Sequence, residues 1–261
     1  MSAIKVVVQG ALGKVGQEVV KAVSAEPEMQ LVGAVDLKAK ADTLALPDGS
    51  SVPLSSDLEH ILTSFKPQVL VDFSIAQAAM SAARLATERG VNLVIGTTGL
   101  SPDDLKEIDR LARAHQVGAV VAPNFALGAV LMMHLAKIAA KYLDYAEIIE
   151  LHHHLKVDAP SGTAQATARA MAAARGKPFL QPQGRPAASR GEVVEGVTIH
   201  SVRLPGLMAH QEVILGGPGQ TLSIRHDTIN RECYMPGVML AIKEVLKRQG
   251  LVYGLDALLG L

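Results

Sequence analysis

Ile4-Lys-Val-Val-Val-Gln-Gly10-Ala11-Leu12-Gly13-Lys14-Val15-Gly16 joins an apolar run to a glycine-rich turn near the start of the chain. A short β-branched run ends at Gly10, two more glycines follow at three-residue intervals, and a helical pattern continues to about Ala25. A second apolar run, Leu31–Val35, is closed by Asp36, twenty residues after Gly16. Strand, glycine-rich turn, helix, strand and acid is the arrangement that holds a dinucleotide. Gly10 permits the tight turn, Gly13 lets the backbone approach a pyrophosphate, and Gly16 permits close helix–strand packing. Asp36 would accept hydrogen bonds from the adenosine ribose. The spacing is GxxGxxG rather than GxGxxG. It is therefore the context of strand, helix and acid that argues against glycines serving packing alone.

Beyond Asp36, residues 37–54 are small and polar, with a turn at Pro47-Asp48-Gly49,. A helix is expected over Ser55–Phe65, capped by Ser55 or Ser56, then a strand over Gln68–Phe73 and a helix over Ala76–Arg89. A strand at Val91–Ile95, a helix at Pro102–His115, a strand at Ala119–Ala122 and a helix over 127–143 follow. Strands alternating with helices predict a parallel, doubly wound sheet, whose ligands sit beyond the strand C-termini. The polar turns at Gly10, Asp36, Ser74, Gly96 and Asn124 all fall at those ends.

The second informative stretch is Glu150-Leu-His152-His153-His154-Leu-Lys156-Val-Asp-Ala-Pro-Ser161-Gly162-Thr163-Ala164. It leaves an apolar run, Ala146–Leu151, that reads as a strand end, and it runs into an Ala-rich helical segment. Ser161 or Thr163 could cap that helix, and a helix N-terminus holds anions. Proton donors, a cation and an anion cradle thus lie side by side, as needed to protonate and grip a small carboxylate. A metal site is the competing reading. In an extended strand His152 and His154 would face one way and His153 the other, no third ligand stands at zinc-like spacing, and there is no HExxH, so no metal is read here.

After this stretch the pattern changes. Residues 176–191 read as a long loop rich in Gly, Pro, Gln and Arg. Val193–Leu204, Gln211–Leu215 and Thr221–His226 read as strands without intervening helices, hence an antiparallel or mixed sheet and a second, α+β domain with edges that invite self-association,. Tyr234-Met-Pro-Gly237 opens a last helix, about Val238–Gln249.

Composition bounds the function. The chain has 261 residues, 49% of them hydrophobic but only 3% aromatic and none Trp, so its core must be aliphatic. A formal charge of zero argues against nucleic acid, which selects a basic face,. One cysteine, Cys233, forbids an intrachain disulfide and fits a reducing compartment,. There is no basic segment followed by a long apolar one at the N-terminus and no run of about 18 apolar residues. The expectation is a cytoplasmic protein without a membrane span.

With these pieces in hand the chain resembles the dihydrodipicolinate reductase family, the 4-hydroxy-tetrahydrodipicolinate reductases of lysine/diaminopimelate biosynthesis. The resemblance covers essentially the whole length. It rests on residues 10–16, Asp72-Phe-Ser74, Gly96-Thr-Thr-Gly99, Ala122-Pro-Asn-Phe125 and, above all, Glu150…His152-His153-x-x-Lys156-Val-Asp-Ala-Pro-Ser-Gly-Thr163. It implies a Rossmann-type parallel-sheet domain, residues 1–123 and 234–261, completed by the C-terminal helix. An α+β substrate-binding and oligomerisation domain, residues 124–233, is inserted between. By resemblance His152 is the acid/base histidine and Lys156 the proton-donating lysine, with His153, Gly162 and Thr163 as substrate contacts. Ser161 joins them from the capping argument. Gly10, Ala11, Leu12, Gly13, Lys14, Val15, Asp36, Gly96, Thr97, Thr98, Ala122, Pro123, Asn124 and Phe125 match nucleotide and nicotinamide contacts. The implied reaction removes water from 4-hydroxy-tetrahydrodipicolinate, a small dicarboxylate, and reduces its ring with NADH or NADPH. Family members are usually homotetramers joined through the inserted sheet.

Two departures bear on the cofactor. Lys14-Val15 stands where the family commonly has Arg-Met, and Leu37 separates Asp36 from Lys38. Asp36 favours free ribose hydroxyls, whereas Lys38, Lys40 and Lys14 could meet a 2′-phosphate, so both dinucleotides are expected to work. The alternatives are a dehydrogenase of another small oxo or imino acid and a non-catalytic dinucleotide sensor. The 150–163 stretch argues against both, since a sensor needs no proton donors.

Overall fold

The computed structural model describes residues 3–182 and 188–261. They form two compact units, Met1–Ala126 with Arg231–Leu261, and Leu127–Asn230.

In chain order the first unit contains β1 (Ile4–Gln9), α1 (Gly16–Ala25), β2 (Met29–Val35), β3 (Thr43–Ala45), β4 (Ser51–Ser55), α2 (Leu58–Phe65), β5 (Val69–Asp72), α3 (Ala76–Thr87), β6 (Asn92–Ile95), α4 (Pro102–Ala114) and β7 (Gly118–Val121). The chain leaves through α5 (Leu127–Ala139), β8 (Tyr145–His152), α6 (Gly162–Arg175), β9 (Glu192–Val194), β10 (Val197–Arg203), β11 (Ala209–Gly217) and β12 (Gln220–Thr228), which make the second unit. It returns to the first through α7 (Met235–Val245), β13 (Gly250–Tyr253) and α8 (Leu255–Leu259).

The first sheet has the order β13-β7-β6-β5-β1-β2-β4-β3, parallel throughout except at β3. β5 and β7 are buried along their whole length, which is why they read as continuous apolar runs rather than as alternation,. Strand order reverses at β1, with β2 on one side and β5 on the other, so the crevice beyond their C-terminal ends is the switch point where such sheets take ligands,. The ends lie level: Gln9 pairs with both Val35 and Asp72, Asp72 with Ile95, and Ile95 with Val121.

The elements depart from the sequence expectation at three points. Residues 37–54 contain the β3–β4 hairpin, whose mostly exposed β3 edge carries no apolar pattern to betray it. α2 starts at Leu58, not Ser55; Ser55 still belongs to β4, and the cap is Asp57, which accepts from the His60 N–H at 3.1 Å. The last helix ends at Val245, not Gln249, and the chain adds β13 and α8. The units divide at 126/127 and 230/231, three residues from the bounds read in the sequence. Phe125 is buried against Phe73, and its carbonyl lies 2.1 Å from where a Gly237 Cβ would stand, which ties Asn124–Ala126 to the first unit.

The second unit is a mixed sheet of order β12-β11-β8-β10-β9, parallel only between β8 and β10. α5 and α6 cover one face, burying Met132, Ala136, Ile148, Ala168, Met171 and Leu215 in one aliphatic core. Helices therefore do cover this sheet on one side. The alternate β8 positions, Tyr145, Glu147, Ile149 and Leu151, belong to the other face,. Val193–Leu204 is two strands, because Glu195 and Gly196 adopt positive φ (50° and 80°) and turn β9 back along β10. Of the loop expected over 176–191, Gly176 ends α6 in a left-handed conformation and Ala188–Arg190 is a 3₁₀ turn, while 183–187 lie outside the described residues.

Candidate active site

At the strand ends of the first unit, Gly10 has φ +75°, and a Cβ there would stand 2.5 Å from the Phe73 carbonyl oxygen. A Cβ on Gly16 would stand 2.0 Å from the Gly10 oxygen, so α1 can begin only with glycine at that point,. The Gly10 and Ala11 N–H groups donate to the Val35 carbonyl at 2.8 and 3.2 Å. Asp36 accepts from the Leu12 N–H on one oxygen (3.0 Å) and from the Lys38 N–H on the other (2.9 Å). Its carboxylate thus clamps the glycine loop to the β2 exit, and each oxygen keeps acceptor capacity for a ligand. Lys14, Lys38 and Lys40 are exposed and make no ion pair among the described residues.

Beyond β5, β6 and β7 the side chains are used internally. The buried Thr97 hydroxyl donates to Asp72 and accepts from the Ser74 N–H at 2.8 Å, and the Ser74 hydroxyl donates to Asp72 at 2.9 Å. Burial pushes the Asp72 carboxyl up against the opposing effect of these donors. Thr97 therefore ties the β5 and β6 ends together, while Thr98 and Pro123 are exposed and Ala122 is buried. A Cβ on Gly96 would overlap the Phe73 ring at 2.1 Å, and Phe73 meets Phe125 at a centroid distance of 5.8 Å. Asn124 accepts from the Ala126 N–H at 2.9 Å. The first-unit residues singled out in the sequence as ligand contacts lie at or just beyond the C-terminal ends of β1, β2, β6 and β7, with Asp72-Phe-Ser74 at the end of β5 between them. A cavity of about 350 Å³ between α1 and the β3–β4 hairpin shares only Ala11 and Leu12 with them.

In the second unit the site is built at the exit of β8. Glu150 and His152 are two apart on one strand and share a face,. Their β10 neighbours in register are Ser201 and Arg203. Glu150 is fully buried. Its Oε2 meets His152 Nδ1 at 2.5 Å, Arg203 donates Nη1 to Oε2 at 2.9 Å and Nη2 to Oε1 at 2.8 Å, and the Ser161 N–H donates to Oε1 at 3.2 Å. Burial by itself would raise the Glu150 pKa; hydrogen bonds from His152, Arg203 and Ser201 outweigh it and lower the value to about 2,.

The strand ends at His152, so the expected alternation of His153 and His154 does not apply: both are exposed, in a turn closed by the Lys156 N–H to the His153 carbonyl at 3.1 Å. Lys156 Nζ lies 2.7 Å from both oxygens of Asp158. Ser161, not Thr163, caps α6, accepting from the Ala164 N–H at 3.2 Å. Its buried hydroxyl is committed to the cap, which leaves the Gly162 and Thr163 N–H groups at the helix start without a partner among the described residues,. Among the described residues no cluster of three His, Cys, Asp or Glu side chains is placed to hold a metal.

Arg203 was missed in the sequence, because nothing local marks an arginine 53 residues from the carboxylate it pairs with. Glu150 was quoted without a role, although two-residue spacing on a strand was the signal that linked it to His152.

A folded pKa of about 2 against an ordinary 4.5 means that Glu150 adds stability above pH 4.5, and that this is lost as pH falls from there toward 2,. Urea unfolding of wild type and Glu150→Gln at pH 7 and pH 2 should show the gap between them shrink by on the order of 3 kcal/mol. A pH-independent gap would mean that the carboxylate is not held ionised.

Two family models match, described as dihydrodipicolinate reductase, N-terminus, over residues 4–125, and dihydrodipicolinate reductase, C-terminus, over residues 128–259. A 4-hydroxy-tetrahydrodipicolinate reductase of Dehalococcoides mccartyi is 56% identical, with 100% of each chain covered. One of Moorella thermoacetica is 49% identical over 99% of each. The structure of a dipicolinate-bound dihydrodipicolinate reductase from Paenisporosarcina sp. TG-14 superposes with a TM-score of 0.87 at 41% identity, covering 97% of this chain and 98% of that one. An amine dehydrogenase from Mycobacterium smegmatis, 18% identical with a TM-score of 0.68, shares the fold. With both halves matched and identity near one half along the full length, the chain belongs to the dihydrodipicolinate reductase family.

Proposed function

We propose that the chain reduces 4-hydroxy-tetrahydrodipicolinate to tetrahydrodipicolinate, with loss of water, in lysine/diaminopimelate biosynthesis. The observation that carries this reading is the β8 exit, where His152 and the open start of α6 share one buried carboxylate and Lys156 stands on the loop between them. The relatives carry that substrate in their names, and the solved relative was bound to dipicolinate, also a dicarboxylate.

The first unit takes the dinucleotide. Its glycine cradle is closed to any Cβ at Gly10 and Gly16, and its Asp36 retains acceptor capacity. The Gly10–Val15 backbone would hold the pyrophosphate, Asp36 and Lys38 the adenosine ribose end, and Gly96–Thr98 with Ala122–Phe125 the nicotinamide end. Bound there, a reduced nicotinamide supplies a hydride.

The second unit takes the substrate. The Gly162 and Thr163 N–H groups grip one carboxylate at the positive end of α6, with the Thr163 hydroxyl beside them. Ser161 contributes by fixing that helix start. His153 contacts the substrate from the exposed turn. Lys156 leaves Asp158 to meet the substrate's negative charge and deliver a proton, and His152 exchanges a proton through Nε2. The chain is further proposed to be cytoplasmic and to form a homotetramer through the uncovered face of the second sheet. Sedimentation near four times 27.5 kDa is the check, and a monomer at micromolar concentration would remove the tetramer.

His152→Ala should lower kcat by about 10²-fold or more on 4-hydroxy-tetrahydrodipicolinate. Lys156→Ala should do at least as much and also raise KM by removing a positive charge. The double variant should lose less than the product of the two, since both serve one step. A folded single variant with near-wild-type kcat would strip that residue of its role.

Both NADH and NADPH are expected to work, with a preference of at most about tenfold, or 1.4 kcal/mol. Lys38→Ala should weaken NADPH and spare NADH, and Asp36→Ala, which also releases the clamp on the glycine loop, should weaken NADH more than NADPH. The measurement is kcat/KM for each nucleotide in the three proteins. Discrimination beyond about a hundredfold by wild type, or equal loss on both cofactors in Lys38→Ala, would contradict dual use.

A further inference from the structure

We propose that Glu150 is the positioning residue for His152 and that Arg203 holds it in that role: the carboxylate keeps the ring proton on Nδ1, so proton exchange with a ligand passes through Nε2. An ionised carboxylate has no hydrogen to give, so the 2.5 Å contact must be donated by Nδ1–H,. The neutral ring is then an acceptor at Nε2, and the protonated ring a donor there. A buried carboxylate that fixes an imidazole through Nδ1 leaves the other nitrogen aimed at the reacting atoms.

Arg203 makes this arrangement hold. Its fork places one N–H on each Glu150 oxygen, which fixes the plane of the carboxylate,. Nη2 also donates to the Asp158 carbonyl at 2.7 Å, and Nη1 to the Val202 carbonyl at 2.8 Å. Asp158 carries the partner of Lys156, so one guanidinium ties β8, β10 and the lysine-bearing loop together. Its buried Nε has no partner among the described residues, a cost accepted to present the fork,. Glu150 also takes the Ser161 N–H, one residue before α6, and thereby sets the helix start against the same carboxylate as the histidine.

A plain structural ion pair is complete with Arg203 alone and needs no imidazole. The groups that surround the ring separate the two roles. Glu150 is its β8 partner and Arg203 its β10 neighbour in register, while its β11 neighbour in register is the apolar Ala209. On the adjoining loop Lys156 is neutralised by Asp158, and on β11 His210 is engaged by Asp227 at 2.7 Å. The charge that bears on His152 is therefore that of the Glu150–Arg203 pair.

This inference rests on the assignment of proton transfer to His152, and its test separates the two. Ring ¹⁵N NMR of the intact chain without substrate should find the neutral His152 ring protonated at Nδ1. In Glu150→Gln the Nδ1 preference should weaken, and kcat should drop by at least about tenfold while KM changes by less than about threefold. A wild-type ring protonated at Nε2 overturns the proposal, as does a Glu150→Gln ring with an unchanged tautomer. If Glu150→Gln does not fold, the wild-type ring decides alone. A His152→Ala variant with full kcat would remove the proton-transfer assignment while the ring measurement still stands.

Discussion

A carboxylate sealed from water must be matched donor for donor, and Glu150 is matched by an imidazole, both arms of a guanidinium and a backbone N–H. Leaving one partner out of such a buried pair costs about 3–5 kcal/mol, so the arrangement tolerates little rearrangement. This one constraint places the His152 ring, the start of α6, the end of β10 and, through the Asp158 carbonyl, the loop that carries Lys156. The placement of His152 and of the loop that carries Lys156 follows from electrostatic necessity more than from local chain preference.

The first unit solves a different problem by steric means. Its strands end level, and the space beyond them stays open because glycines stand where a Cβ would strike backbone or the Phe73 ring. Asp36 and Thr97 each have a second duty. Asp36 clamps the glycine loop, and Thr97 ties β5 to β6 through Asp72 and Ser74. Substitution at either would disturb the shape of the nucleotide end as well as any contact with the nucleotide, which is why separate readings for NADH and NADPH carry more information than loss of activity alone.

Much of this was legible in the chain. The glycine loop, the alternation of apolar runs with helical patterns and the turns at strand ends are local signals, and they gave the parallel sheet. The proton-bearing stretch is contiguous and so is readable as a motif. What escaped was either patternless or long-range. β3 is largely exposed and carries no usable period, and β13 follows directly on the segment expected to be helical to about Gln249. Ser55 resembled a cap but belongs to β4, and the true cap was two residues on. Arg203 comes into play only because β10 lies parallel to β8, a pairing no local window reveals.

The account stands most directly on turnover. The intact chain, supplied with NADH or NADPH and the condensation product of pyruvate and aspartate semialdehyde, should oxidise the dinucleotide with saturation in that product. A chain that binds the dinucleotide yet leaves it unoxidised with this product, while reducing another small oxo or imino acid, would contradict the account.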